Sequence, residues 1–173
     1  QHIDYDILRQ MNRGGNSQEI RTLLDKFRKN IPGLVLRTTF IVGFPGETER
    51  QYQRLYDFVQ ETQFDRVGVF TYSPEEGTTA YPLGDTVRDA VKQRRRERLL
   101  RLQAQVSLKK NSALIGTIQD VLVDGLSSET DLLLEGRTAG HAPEIDGQVY
   151  INEGTARPGD FVRVEITQAS HYD

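Results

Sequence analysis

Residues 34–48 read LVLRTTFIVGFPGET. The first part, LVLRTTFIV (34–42), is a run of β-branched and apolar side chains that predicts a buried strand, and GFPGE (43–47) predicts the turn that ends it. Alternation along the strand puts Leu34, Leu36, Thr38, Phe40 and Val42 on one face, and Val35, Arg37, Thr39, Ile41 and Gly43 on the other. The first set suits packing against helices. The second carries a guanidinium into an expected interior, where it must find an anion or bear a heavy desolvation cost. Two readings of Arg37 stay open from the residues alone. One is a structural salt bridge to another strand; in the other, Arg37 and Thr39 meet a polar ligand in a barrel lumen, with Arg37 pairing with a carboxylate. Gly43 and Gly46, flanking Pro45, let the backbone approach a ligand closely, although ordinary turns use the same residues.

Upstream, Asn16 followed by Glu19 has capping-box spacing, and Ile20, Leu23, Leu24 and Phe27 recur at helical spacing, predicting a helix over about residues 17–29 that Pro32 and Gly33 stop. Downstream, Thr48 caps a second helix with a stripe of Tyr52, Leu55, Tyr56 and Val59. A second strand, VGVFTY (67–72), and a loop, SPEEGTT, follow. From about Arg88 to Ser112 a long basic helix is expected, its apolar seam formed by Leu99, Leu102, Val106 and Ala113. Helices alternating with buried strands predict a parallel α/β sheet, and two repeats are too few to complete one, so its other strands lie elsewhere. The loops after both strands should share the rim where such folds bind ligands. Glu75 and Glu76 on that rim read either as an acid/base pair or as solvated carboxylates. Arg94, Arg95 and Arg96 read either as an RNA or phosphate site or as a charged helix face.

After Gly116 the period shortens. TIQDVLVDG, DLLLEGRT, GQVYI and DFVRVEI alternate and are separated by Gly, Pro, Asp and Ser, predicting a small antiparallel barrel of the oligonucleotide/oligosaccharide-binding type. The expected organisation is α/β plus all-β, with domains at 1–113 and 114–173. Charge splits at the same place. Residues 1–115 hold 19 Lys/Arg against 14 Asp/Glu, a balance of +5, whereas residues 116–173 hold 3 Arg against 11 Asp/Glu, a balance of −8. Such a split suggests two units with different partners. The sequence has no cysteine, which excludes disulfides, thiol nucleophiles and cysteine-ligated metal within it, and His2, His141 and His171 are too scattered to form a metal site. No apolar run reaches the roughly 20 residues that span a bilayer, so no membrane partner is expected. The chain opens at Gln1 without an initiator Met and is expected to be a fragment.

The strings LRQMNRGG (8–15), RTTFIVGFPGET (37–48), FDRVGVFTYSPEEGT (64–78) and RRRERLLRLQAQVS (94–107) closely resemble successive motifs of the radical S-adenosylmethionine (SAM) methylthiotransferases, and residues 116–173 resemble that family's TRAM domain. The resemblance implies the C-terminal part of a TIM-like radical SAM barrel followed by a TRAM-type barrel. It implies SAM as cofactor and two four-iron–four-sulfur clusters, one of which cleaves SAM to a 5′-deoxyadenosyl radical. The cluster cysteines are absent from this chain, so it holds no catalytic residue and is expected to be inactive alone. Carried over onto this sequence, the family pattern assigns Ile41 to the adenine, Gly43 to close backbone approach, Glu47 to holding the turn, and Arg37 to the SAM carboxylate with Thr39 beside it. Phe70 and Thr71 fall near adenine, and Gln1, with His2, near the ribose.

The family divides by substrate, one branch modifying an adenosine in tRNA and the other an aspartate β-carbon in the twelfth protein of the small ribosomal subunit. A unit at −8 repels a phosphate backbone and attracts a basic ribosomal protein, with steering that weakens as salt rises. GRTAGHAPEIDGQVYI (136–151) also resembles the ribosomal-protein branch, which assigns Glu144 and Asp146 to substrate binding, although EIDG also reads as a hairpin turn on Asp146–Gly147. A cytoplasmic enzyme acting on the basic ribosomal protein is therefore expected, with no nucleic acid held by the acidic unit. The alternatives are a tRNA methylthiotransferase using the basic helix, and a non-catalytic ribosome-associated module.

Overall fold

The Asn16 side chain accepts from the N–H groups of Gln18 and Glu19, each at 3.0 Å, and the Glu19 carboxylate accepts from Asn16 N at 3.1 Å. This reciprocal cap starts helix α2 (Ser17–Asn30), which follows a short helix α1 (Tyr5–Gln10). Thr48 and Gln51 build the same device at the start of α3 (Glu49–Thr62). The structure is a computed structural model that describes residues 1–143 and 145–171.

Strands β1 (Arg37–Val42) and β2 (Arg66–Thr71) pair in parallel, with Arg37 beside Arg66, Thr39 beside Gly68 and Ile41 beside Phe70. β1 begins later than its composition predicts. The Leu36 N–H is taken by the Asp65 carboxylate at 2.7 Å and its carbonyl by the N–H groups of Asp65 and Arg66, so the loop before β2 ends the ladder there. One face of the pair is covered by helices: Phe40, Val42 and Val69 pack with Tyr52, Leu55, Phe58 and Val59 of α3 and with Leu99 and Leu102 of α4 (Asp89–Ser112). Phe40, Phe58 and Phe64 meet edge to face, with centroids 5.6–6.3 Å apart. Tyr56, expected in the buried stripe of α3, is half-buried, and Phe58 takes the deeper place.

The other face of β1 and β2 is open. Arg37, Thr39 and Phe70 are exposed and Ile41 is half-buried, which corrects the interior expected for Arg37. A two-stranded sheet covered from one side leaves its second face to solvent. α2 likewise buries none of its residues, although Ile20 and Leu24 pack partly on the core. Ala113, expected to extend the seam of α4, lies beyond the helix and is exposed.

The chain divides into two compact units, Gln1–Val106 and Ser107–Asp173. The second is an antiparallel sheet of β3 (Ile118–Leu126), β4 (Leu134–Arg137), β5 (Val149–Ile151) and β6 (Phe161–Glu165), in the order β5-β4-β3-β6. Val121 and Val123 are its fully buried core. β3 bulges between Val123 and Gly125, which adds twist to a sheet that must curl. Gly136 on β4 sits so close to β3 that a Cβ there would meet the Leu122 carbonyl oxygen at 2.5 Å. β4 and β5 are not joined by a two-residue turn at Asp146–Gly147. A longer loop connects them, closed by Ala142 N donating to the Asp146 carboxylate at 2.7 Å.

Candidate ligand site at the strand ends

The GFPGE turn leaves the C-terminal end of β1 with Gly43 and Gly46 at φ of +75° and +80°, in the left-handed region that glycine enters without strain. The Glu47 carboxylate turns back into the protein and is completely enclosed. It accepts from the Gly43 N–H, from His2 Nε2 at 3.3 Å and from Arg95 Nη1 at 3.0 Å. His2 Nδ1 accepts from Asp4 N at 2.9 Å, which leaves Nε2 as the donating nitrogen. Arg95 also donates to the Glu47 carbonyl at 3.2 Å and to the Glu49 carboxylate at 3.1 Å. The Tyr52 hydroxyl, whose pKa burial pushes up to about 12, donates to the Arg95 carbonyl at 3.0 Å.

One turn earlier on α4, Lys92 is buried to 2% exposure and donates to the Tyr72 carbonyl at 3.1 Å and to the carboxylates of Asp85 and Asp89. Burial alone would lower its pKa, but the two carboxylates outweigh that and hold it above the ordinary lysine value. The Lys92 stem fills the space a Cβ on Gly43 would need. The close approach at Gly43 in this structure is therefore made by the chain's own lysine.

On the open face, register brings Arg37, Thr39 and Ile41 alongside Arg66, Gly68 and Phe70. A Cβ on Gly68 would touch the Thr39 hydroxyl at 3.4 Å, so the middle of this face is kept low. Cations thus occupy one end and an apolar pair the other, roughly 13 Å apart along the strand. Gln1 runs beside the free edge of β1, its carbonyl accepting from Ile41 N at 2.9 Å and its side chain from Arg13 at 3.2 Å. Thr71 is not brought to this face: it alternates with Phe70 and pairs with the buried Val42. Glu75 and Glu76 do not converge, since Glu75 accepts from Ser73 and Glu76 from Tyr81, all of them exposed. Of the arginine run, only Arg94 is exposed. Arg95 is spent on Glu47 and Glu49, and Arg96 donates to the Val69 carbonyl at 3.1 Å, which corrects the reading of the run as one RNA-binding face.

In the second unit, Asp146 closes its own loop through Ala142 N, and Glu144 lies outside the described residues. Among the described residues no three His, Asp or Glu side chains gather as a metal site. Nor, among the described residues, is any helix long and apolar enough to cross a membrane.

Lys92, and the inward placement of Arg95, are not among the sequence expectations. The signal was present: positions 92, 95, 99, 102 and 106 form one helical stripe, so carrying the apolar seam two turns toward the N-terminus turns both cations inward.

A parallel strand pair followed by an antiparallel sheet defines a two-unit chain, and residues 115–173 match the TRAM domain family. The whole chain goes further. It aligns over all 173 residues with the ribosomal protein uS12 methylthiotransferases RimO of Geotalea uraniireducens (50% identical), Pelobacter propionicus (53%) and Geobacter sulfurreducens (52%). Its resemblance to the methylthiotransferases thus extends along its entire length. The chain spans 38–39% of the length of these relatives.

Proposed function

We propose that this chain supplies part of the SAM-binding surface and the substrate-recognition module of a radical SAM methylthiotransferase that modifies an aspartate of ribosomal protein uS12. The observation that carries this reading is identity of about one half, in alignments that cover all 173 residues, to relatives named for that reaction. The strand-end face fits the cofactor's chemistry. Arg37 stands where a guanidinium can take the amino-acid carboxylate, Thr39 offers a hydroxyl midway, and Ile41 with Phe70 offers an apolar bed for the adenine. Glu47 holds the turn that closes this end, and Gln1 borders it near the ribose. Bound there, SAM would supply the hydrogen-abstracting fragment of the reaction, and these side chains bind and orient it. The chain has no cysteine, so in this reading the iron–sulfur clusters take their cysteine ligands from outside it.

The acidic second unit favours the protein substrate over tRNA. Two of its three arginines are paired within it, Arg137 with Asp124 and Arg163 with Asp120, which leaves the excess of carboxylates to set its field. The deciding experiment uses the protein expressed from its complete gene and titrates uS12 and tRNA across a salt series, with mass spectrometry of the uS12 aspartate as readout. Methylthiolated uS12 and salt-sensitive uS12 binding are expected, and tighter binding of tRNA would reject the assignment. Arg37→Ala should weaken SAM binding while leaving iron content intact. Lost iron or lost folding would show instead that Arg37 is a structural ion-pair residue.

A further inference from the structure

We infer that Arg95 is a positioning residue for the ligand at the strand ends, acting through Glu47 on the Gly43 backbone; this rests on the cofactor reading above. The peptide unit joining Val42 to Gly43 is bonded at both ends. Its carbonyl accepts from Tyr72 N at 2.9 Å, and its N–H donates to Glu47. Since a peptide is planar, these two bonds fix the plane of the last unit of β1, directly after Ile41 on the open face. The first bond is ordinary sheet pairing. The second depends on a side chain, and a carboxylate with no exposure keeps one orientation only if its partners dictate it.

Those partners come from distant parts of the chain. His2 holds one oxygen of Glu47, and Arg95 holds the other while also gripping the Glu47 carbonyl. Arg95 is the stronger determinant. It is charged, it makes two contacts to Glu47, and its remaining arm is fixed on Glu49. Its backbone is tied in turn, because the Tyr52 hydroxyl donates to the Arg95 carbonyl. Lys92 backs the same turn by filling the space behind Gly43. Helix α4 therefore sets the shape of the rim through two cations one turn apart, neither of which lies on the open face. A purely structural ion pair would affect stability alone; a positioning role predicts that ligand affinity and local opening at Gly43 move together.

The test uses the protein from its complete gene, with SAM dissociation constants from equilibrium titration, amide hydrogen exchange over residues 40–48 and iron content. Arg95→Gln should raise the SAM dissociation constant about tenfold. Exchange at Gly43 should quicken by about tenfold, with iron content unchanged. The exposed neighbour Arg94→Gln should match wild type in both. Wild-type affinity and exchange in Arg95→Gln would overturn the proposal. Should that variant fail to fold, Arg95→Lys keeps the charge but cannot span Glu47 and Glu49 together. It should raise the dissociation constant by about threefold, and wild-type affinity there would overturn the proposal equally. Arg37→Ala separates the two layers of argument. Loss of affinity in Arg37→Ala but not in Arg95→Gln removes only the positioning role, whereas no SAM binding by the wild type removes the cofactor reading and this inference with it.

Discussion

The two units handle charge in opposite ways. The first buries His2, Asp4, Glu47, Lys92 and Arg95 and gives each a partner of opposite sign or a hydrogen bond, whereas no charged residue is buried among the described residues of the second. Both are small, yet only the first has a core large enough to shield ion pairs, with eleven buried apolar residues in one cluster against the lone pair Val121 and Val123. Burying charge is costly unless geometry repays it, and the first unit does so where loops must be held in place, at the ends of its strands. The second leaves its charge in water, where it acts at a distance on what approaches.

The largest expected effect tests the difference in cores. Phe58→Ala removes a ring in edge-to-face contact with Phe40 and Phe64 and should destabilise the first unit by roughly 4 kcal/mol. Val121→Ala removes far less apolar volume and should cost the second unit about 2 kcal/mol. Denaturant unfolding of both variants measures this, and equal losses would show the small sheet to be packed as densely as the α/β unit.

Next come the buried ions. Lys92→Met leaves the Tyr72 carbonyl without its donor and should cost roughly 2 kcal/mol near neutral pH. Because the carboxylates raise the folded pKa of Lys92 above 10.5, its stabilisation is complete below pH 10.5 and lost as pH climbs through the higher folded value. The gap between Lys92→Met and wild type should therefore narrow in strong alkali. Asp4 behaves in the opposite sense. Burial alone would raise its pKa, but bonds from Arg54, Gln51 and the Ile7 backbone outweigh this and bring it below 3.8. Asp4→Ala should cost about 1 kcal/mol at neutral pH, since Asp4 also caps α1. That gap persists above pH 3.8 and closes as pH falls through the lower folded value. A gap constant with pH in either variant would mean that packing, not charge, is what those side chains supply.

How much of this could be read beforehand depended on range. Both caps, the face alternation of β1 and the short-period strands after Gly116 are local, spanning a few residues each, and they appear at or near their expected positions. What escaped was set by partners far away in the chain. Glu47 and Arg95 are 48 residues apart and His2 and Glu47 are 45, so the helical stripe that turns Arg95 inward and leaves Arg94 exposed does not say which groups Arg95 meets. The open face at Arg37 escaped for the same reason, because whether an alternating strand is covered on its second side depends on neighbours the local pattern does not name. Helix α1 is short and takes its cap from Asp4, whose own partners lie on α3. The hairpin turn that EIDG offers as one of its two readings gives way to a wider loop, because the Asp146 carboxylate bonds back to Ala142 N.

The smallest expected effect is the most direct test of the contrast between the units. Arg137 pairs with Asp124 on β3, and both side chains remain about one-third exposed. An ion pair in that setting contributes about 0.5 kcal/mol at most, so Arg137→Gln should scarcely move the unfolding midpoint. It does remove one of only three arginines from a strongly acidic unit, leaving Asp124 to add to the outward field. Association with a basic protein such as uS12 should then speed up about twofold at low ionic strength, with the gain vanishing at high salt. Loss of the ion pair between Arg95 and Glu47 in the first unit would act on folded geometry and be little affected by salt, since that pair is enclosed on both sides. If Arg137→Gln destabilised the protein as much as Lys92→Met, the charges of the second unit would be structural after all. An unchanged association rate at low salt would mean that its acidity plays no part in recruiting a basic partner.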